Sequence, residues 1–210
     1  MTSGLTAPLS DLERDALAEL SNIAMARAAN SLRQMVEHQV LLSVPSVEIV
    51  SKEEATRIVA KPDNPRLVAV RQDFHGPFAG RALLIFPEAN SLELVRAVVG
   101  RELPLEDIGN LEDEALAETG NIILNSWVAT IANLLKRTLQ MSLPVVVRGD
   151  SRQMLAGEEA QTLVLFLHIQ FEIRHKEIKG YVALLMDIPS LDVLRLLVAE
   201  LIKDIAQKAR

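Results

Sequence analysis

No cysteine occurs anywhere in the chain. Disulfides, zinc–thiolate sites and thiol nucleophiles are therefore excluded, and a reducing compartment is permitted. Aromatic residues are scarce, at 3%, too few for base-stacking platforms or aromatic sugar-binding walls. Positive charge is the minority sign: 22 Lys and Arg stand against 28 Asp and Glu, for a net charge of −6. Nucleic-acid phosphates need a basic footprint, so nucleic acid is not the expected partner. Long apolar runs are missing too, and the N-terminus has no basic segment leading into an apolar one; acids arrive instead at Asp11, Glu13 and Asp15. We expect a cytoplasmic, untargeted protein with no membrane insertion. There is no Gly-rich loop, no Lys/Arg cluster and no metal-ligand spacing among the four histidines at 38, 75, 168 and 175. His168 lies in an apolar strand and reads as a satisfied core or edge residue.

What is present is a polar helical motif written twice. Asp15-Ala16-Leu17-Ala18-Glu19-Leu20-Ser21-Asn22 returns 99 residues later as Glu114-Ala115-Leu116-Ala117-Glu118-Thr119-Gly120-Asn121. Asn22 is followed by 22 residues and then Pro45, and Asn121 by 22 residues and then Pro144. At 100° per residue, positions 15, 19 and 22 fall within roughly 60° of arc. Each copy thus forms a ridge of carboxylate, carboxylate and carboxamide. Leu12, Ala16, Leu20 and Ile23 occupy the neighbouring arc and are expected to face the core. Alone, Glu-x-x-Asn would be an ordinary solvated helix edge; the second copy and the shared proline spacing argue for a function.

The duplication organises the whole chain. Ser10-Asp11-Leu12-Glu13 is a capping box, after an arm over residues 1–9 expected to be loosely attached. A helix is predicted from there to about residue 42, then a strand over 44–50 with Pro45 at its start. A turn over 61–65, strands over 67–74 and 79–86, and a helix over 88–99 ended by Gly100 follow. Residues 101–109 are a linker. Asn110 is read as the N-cap of a second long helix to about residue 141, with strands over 145–148, 162–173 and 178–186 and a closing helix over 190–208. Ser91-Leu92-Glu93-Leu94-Val95-Arg96 recurs as Ser190-Leu191-Asp192-Val193-Leu194-Arg195 at the same spacing. The expected fold is α+β: one body over 1–210 made of two repeats, 10–100 and 110–208. Each repeat runs helix, three strands, helix, with one or two joined sheets covered on one side by helices and related by a pseudo-twofold. Trp127 and the stripe Leu191, Leu194, Val198 and Leu201 are read as packing residues.

An Asn carboxamide donates and accepts hydrogen bonds but takes no proton at neutral pH, so it positions water better than it activates it. That suits phosphoryl hydrolysis, where alignment matters more than proton transfer. With no phosphate cradle of its own, the chain would act on a protein substrate that already holds a labile phosphoryl group.

The pattern of acid, three residues, Glu, two residues, Asn, 22 residues, Pro resembles the CheC-type phosphatases of bacterial chemotaxis, with CheX and FliY as relatives. The resemblance extends over nearly the whole chain. It implies a pseudo-twofold α+β fold and hydrolysis of the aspartyl phosphate on a CheY-like response regulator. By match to the family, Asn22 and Asn121 would orient the attacking water within the receiver's active site. Glu19 and Glu118 would pair with the receiver's lysine, and Asp15 and Glu114 would be weaker substrate-binding positions. The chain would carry no cofactor or metal of its own, Mg²⁺ belonging to the receiver, and the family admits the deamidase CheD as a further partner. Two departures stand out: Glu114 is one methylene longer than the usual Asp or Ser, and Ala24, Ala26 and Arg27 follow the first Asn where the family commonly has Gly and Asn. The alternative reading is a non-catalytic receiver-binding adaptor or flagellar switch-like scaffold. Against its FliY form, no appended C-terminal domain is expected after the second repeat's closing helix; against a FliM-like one, the Glu/Asn pair is present twice.

Overall fold

Two strands carry apolar residues at consecutive positions rather than alternate ones: Ala82-Leu83-Leu84-Ile85-Phe86 and Val182-Ala183-Leu184-Leu185-Met186. A strand of that kind must be covered on both faces. The computed structural model, which describes residues 9–35, 40–60, 66–91, 95, 105–156, 162–173 and 176–208, puts these two strands side by side in the middle of one sheet. The elements are α1 (Asp11–Met35), β1 (Val40–Ser51), α2 (Lys52–Val59), β2 (Leu67–His75), β3 (Gly80–Pro87), a 3₁₀ turn (Glu88–Asn90), α3 (Leu105–Leu134), β4 (Gln140–Met141), β5 (Val145–Gly149), α4 (Ser151–Met154), β6 (Thr162–Ile173), β7 (Lys176–Asp187) and α5 (Ile188–Lys208).

The sheet is antiparallel throughout and runs β1-β6-β7-β3-β2, with β4 and β5 both pairing along the far edge of β2. The two repeats meet at the β3–β7 pair. Beyond it they exchange strands: β1 of the first repeat pairs with β6 of the second, and β4 and β5 of the second pair with β2 of the first.

Alternation splits the core in two. Val68, Val70, Phe74, Leu84, Phe86, Leu165, Leu167, Val182 and Leu184 point to the face covered by α1, α3 and α5. Leu67, Ala69, Leu83, Ile85, Val164, Phe166 and Ala183 point to the opposite face, where Ala55 and Val59 of α2 and Met154 and Leu155 at α4 pack on them. Helices therefore cover both faces, not one. Each of these short helices is capped: the Ser51 hydroxyl accepts the Glu54 amide, and Asp150 with Gln153 forms a full capping box.

Several expected boundaries move. α1 stops at Met35 instead of near residue 42, and residues 40–43 belong to β1. Pro45 lies inside β1 at a register shift between Ser43 and Ser46, not at the strand's start; a residue without an N–H is tolerated at such a bulge. α3 begins at Leu105, so Asn110 is within the helix and not its N-cap. Its other end is a Schellman turn, in which Arg137 N donates to Ala132 O and Lys136 N to Asn133 O. Lys136 takes the left-handed φ of 54°, and this stops the helix seven residues before the expected end. α5 starts at Ile188 because the Asp187 carboxylate caps the Ser190 amide. Leu9 is buried in the main core instead of belonging to a loose arm. The expected turn over 61–65, residues 92–94 and 96–99 of the expected helix with its terminal Gly100, and residues 101–104 of the linker lie outside the described residues, as do His38 and His175; residues 105–109, expected as linker, are instead the start of α3.

Candidate active site

The buried face of α1 is Leu17, Leu20, Ser21, Ala24, Met25, Ala28 and Leu32. The expected core arc is corrected: Leu20 is buried, but Leu12 and Ile23 are exposed, at 62% and 37%. The helix is covered by β1 on one side and α3 on another, so its buried arc turns toward the gap between them. Trp127 of α3 closes that gap, its indole N–H donating to the Ser21 hydroxyl at 3.0 Å, both groups buried. Arg27 reaches across to the Thr130 hydroxyl on α3, away from the polar ridge.

On this frame the first ridge stands at the edge of the core. Asp15 and Glu19 are exposed and Asn22 is half-buried. Among the described residues, Glu19 forms no side-chain hydrogen bond or ion pair. Asn22 is fully engaged. Its Nδ2 donates to Ala18 O at 3.0 Å and to Val44 O at 3.2 Å, and its Oδ1 accepts the Val44 amide at 2.9 Å. The carboxamide thus acts as a one-residue strand, supplying Val44 with the pairing that the bulge and Pro45 remove from the ladder. Val44 is drawn in to 2% exposure.

The second ridge repeats the placement and changes the bonding. Glu114 and Glu118 are exposed and Asn121 is half-buried, with Glu118 again unpaired among the described residues. Gly120 brings α3 onto the sheet: a Cβ there would sit 2.4 Å from the Val70 side chain. Two residues further along the same face of β2, Gln72 reaches the helix. Its Nε2 donates to Asn121 Oδ1 at 3.1 Å and to Ser142 O at 2.9 Å, while Asn125 also donates to Asn121 Oδ1. Asn121 Nδ2 has no acceptor among the described residues. Leu143, which matches Val44 at the 99-residue spacing, is 85% exposed. Ser142 instead takes up the edge of β2, donating its amide to Asp73 O and accepting the Asp73 amide at its hydroxyl. Leu143, Pro144 and Val145 border this arrangement between β4 and β5, with Val145 45% exposed.

The charged groups nearby are structural ties. Arg195 of α5 forks onto Glu13 at 3.1 and 3.2 Å, and the Ser10 amide and hydroxyl both donate to the same carboxylate. The Arg195 bond and the Ser10 donors, working against burial, hold Glu13 down at about 2. At the start of the second ridge, Arg148 of β5 binds Glu112 and Asp113 of α3, and these carboxylates raise its pKa despite burial. His168 Nε2 donates to the Glu48 carboxylate at 2.9 Å and the ring packs edge-on against Phe166 and Tyr181, a satisfied sheet residue as expected. The residues that sequence reasoning missed at the site are Gln72 and Asn125. For Gln72 the signal was available: it is the one polar residue in the alternation Val68, Val70, Gln72, Phe74.

No family model matches the chain. It is 25% identical over 194 residues to the CheY-P phosphatase CheC of Bacillus subtilis (strain 168), across 87% of this chain and 91% of CheC. It is 20% identical over 172 residues to the flagellar motor switch phosphatase FliY of the same organism, across 81% of this chain and 44% of that protein, so it spans less than half of FliY's length. The solved structure of Thermotoga maritima FliY superposes with a TM-score of 0.74 at 17% identity, covering 91% of this chain and 98% of that one; at that identity the likeness speaks for the fold. Among the described residues no helix is long and apolar enough to cross a membrane. Along most of both sequences the chain is similar to CheC, and it shares the fold of FliY, so it resembles the CheC/CheX/FliY-type proteins.

Proposed function

We propose that this protein hydrolyses the aspartyl phosphate of a CheY-like response regulator. The observation that carries the proposal is the second ridge: among the described residues Asn121 Nδ2 has no acceptor and the exposed Glu118 carboxylate, one helical turn before it, has no partner. The likeness to CheC, whose name states that it acts on CheY-P, supports the substrate class. Asn121 enters the receiver's cleft and holds water in line with the phosphorus. Glu118 pairs with the receiver's lysine and fixes the approach. As the water oxygen bonds to phosphorus, the bond from phosphorus to the aspartate oxygen breaks and its electron pair leaves with the carboxylate. The water's proton ends on the released phosphate, and the receiver's Mg²⁺ offsets the developing charge. Asp15 and Glu114, both exposed, are weaker contributors to docking.

Glu19 and Asn22 have the same roles in the proposal, with one difference. Asn22 must release Val44 N and O before its carboxamide can serve a receiver, so the first site is the slower of the two. The test is phosphate release from an acyl-phosphate-charged CheY-like receiver with Mg²⁺. Turnover should vanish in the Asn22→Ala/Asn121→Ala double variant, and unchanged turnover there would remove the mechanism. Receiver binding without faster dephosphorylation by the wild-type protein would favour the adaptor reading.

A further inference from the structure

The direction of an asparagine amide decides what it can do: one end donates two hydrogen bonds and the other only accepts. At the second ridge that direction is fixed from below. The Ser142 carbonyl can only accept, so the end of Gln72 that faces it must be the NH₂ group. The same NH₂ group faces Asn121, so the atom it meets must be Oδ1. Asn125 donates to that oxygen as well, which fills both its lone pairs. Nδ2 is left on the other side of the amide, with both hydrogens free of any acceptor among the described residues.

Gln72 is built in at a cost. It is 1% exposed, and its Oε1 is buried with no hydrogen-bond partner among the described residues. A buried amide that satisfies only one end is less favourable than an apolar side chain of similar size. The other half of the sheet makes the apolar choice: the β6 residues facing the long helices include Leu163, Leu165, Leu167 and Ile169, and among the described residues no side chain of the sheet bonds to Asn22, whose partners are the backbone of Ala18 and Val44. Gln72 also comes from the first repeat while Asn121 and Ser142 come from the second. The second ridge is therefore completed by a strand of the opposite repeat.

We propose that Gln72 is a positioning residue for hydrolysis: it locks Asn121 with its NH₂ group outward, where one hydrogen engages the attacking water and the other a phosphoryl oxygen. The inference rests on the phosphatase reading of Asn121. Without Gln72 the amide rotates, and its acceptor end spends part of its time facing the phosphoryl group, which it repels. Docking is left intact, because Gln72 lies beneath the surface that a receiver would touch.

The experiment compares wild type, Gln72→Leu, Gln72→Glu and Asn121→Ala for phosphate release from the acyl-phosphate-charged receiver, with thermal melts of each. Gln72→Leu should keep or raise the melting temperature, since it removes an unsatisfied buried group. It should lower kcat by about tenfold with little change in KM, the signature of an interaction lost at the transition state. A purely structural glutamine predicts the reverse: a lower melting temperature and an unchanged kcat. Gln72→Glu supplies a second readout. Its protonated acid can donate to Asn121 Oδ1 as the amide does, whereas its carboxylate would pull the Asn121 NH₂ inward. Its kcat relative to wild type should therefore climb as pH falls, burial having raised the acid into the measurable range. Wild-type kcat in Gln72→Leu, or a kcat ratio for Gln72→Glu that does not vary with pH, would overturn the inference. If wild type releases phosphate and Asn121→Ala does not while both Gln72 variants are normal, only this inference fails. If wild type itself is inactive, the phosphatase reading fails.

Discussion

Gly120 and Val70 touch so closely that no side chain fits between them: a Cβ on Gly120 would lie 2.4 Å from two carbons of the valine and 2.5 Å from a third. Val70 is β-branched and buried, so it has no alternative position to take. This contact sets the height of α3 over β2, and with it the reach from Gln72 to Asn121. Gly120→Ala must lift the helix or tilt it. We expect a loss of about 1–3 kcal/mol in urea denaturation together with a fall in phosphate release, and a simultaneous Val70→Ala should restore part of both.

Asn22 and Asn121 should separate stability from turnover. Asn22→Ala leaves the Val44 amide and carbonyl without their partner and should cost about 1–3 kcal/mol, with a minor effect on phosphate release. Asn121→Ala should abolish most of the turnover and leave the denaturation midpoint almost unmoved. Equal losses of stability in the two variants would contradict the bonding difference between the ridges.

Leu143 should serve recognition. A leucine 85% exposed beside Pro144 and Val145 contributes nothing to the core, yet it stands one residue from the Ser142 carbonyl that Gln72 holds. If a receiver covers it during docking, Leu143→Ser should raise KM by about tenfold and leave kcat and the melting temperature alone. Steady-state phosphate release at varied receiver concentration reads all but the last.

The tie between Glu13 and Arg195 predicts how stability depends on pH. The folded protein holds Glu13 at about 2, against an ordinary value of 4.5. A depressed acid stabilises the fold above its unfolded value, and that contribution fades as pH falls through its folded value. The tie is therefore complete above about pH 5 and lost by about pH 2. Glu13→Gln should cost about 2 kcal/mol at neutral pH and very little near pH 2. Chemical denaturation at the two pH values checks the difference.

Alternation and unbroken apolar runs made β2, β3, β6 and β7 legible from the sequence, because burial on a sheet face is a local pattern. Helix ends were harder to read. Nothing between Ser10 and Leu42 is Gly or Pro, so no residue marks where α1 gives way to β1, and α3 ends on a left-handed lysine where a glycine would have been the readable signal. The two short helices were marked, by Ser51 three residues before Glu54 and Asp150 three before Gln153, but strand-like neighbours hid them. At the site, the spacing of 22 residues from Asn to Pro was visible and its meaning was not. In the first copy it lets the asparagine hold the residue before the proline; in the second the spacing persists while the bond is gone. No local pattern could reveal that difference, since it depends on Gln72, 49 residues away in sequence.

The exchange of β1 and β5 between the repeats makes the two halves mutually dependent. One repeat synthesised alone would have a hairpin short of a neighbour and a strand with nowhere to pair. Both wants are met by the opposite repeat, so each half completes the sheet of the other. Cutting the chain between the repeats and mixing the fragments should rebuild the whole, while neither fragment folds by itself.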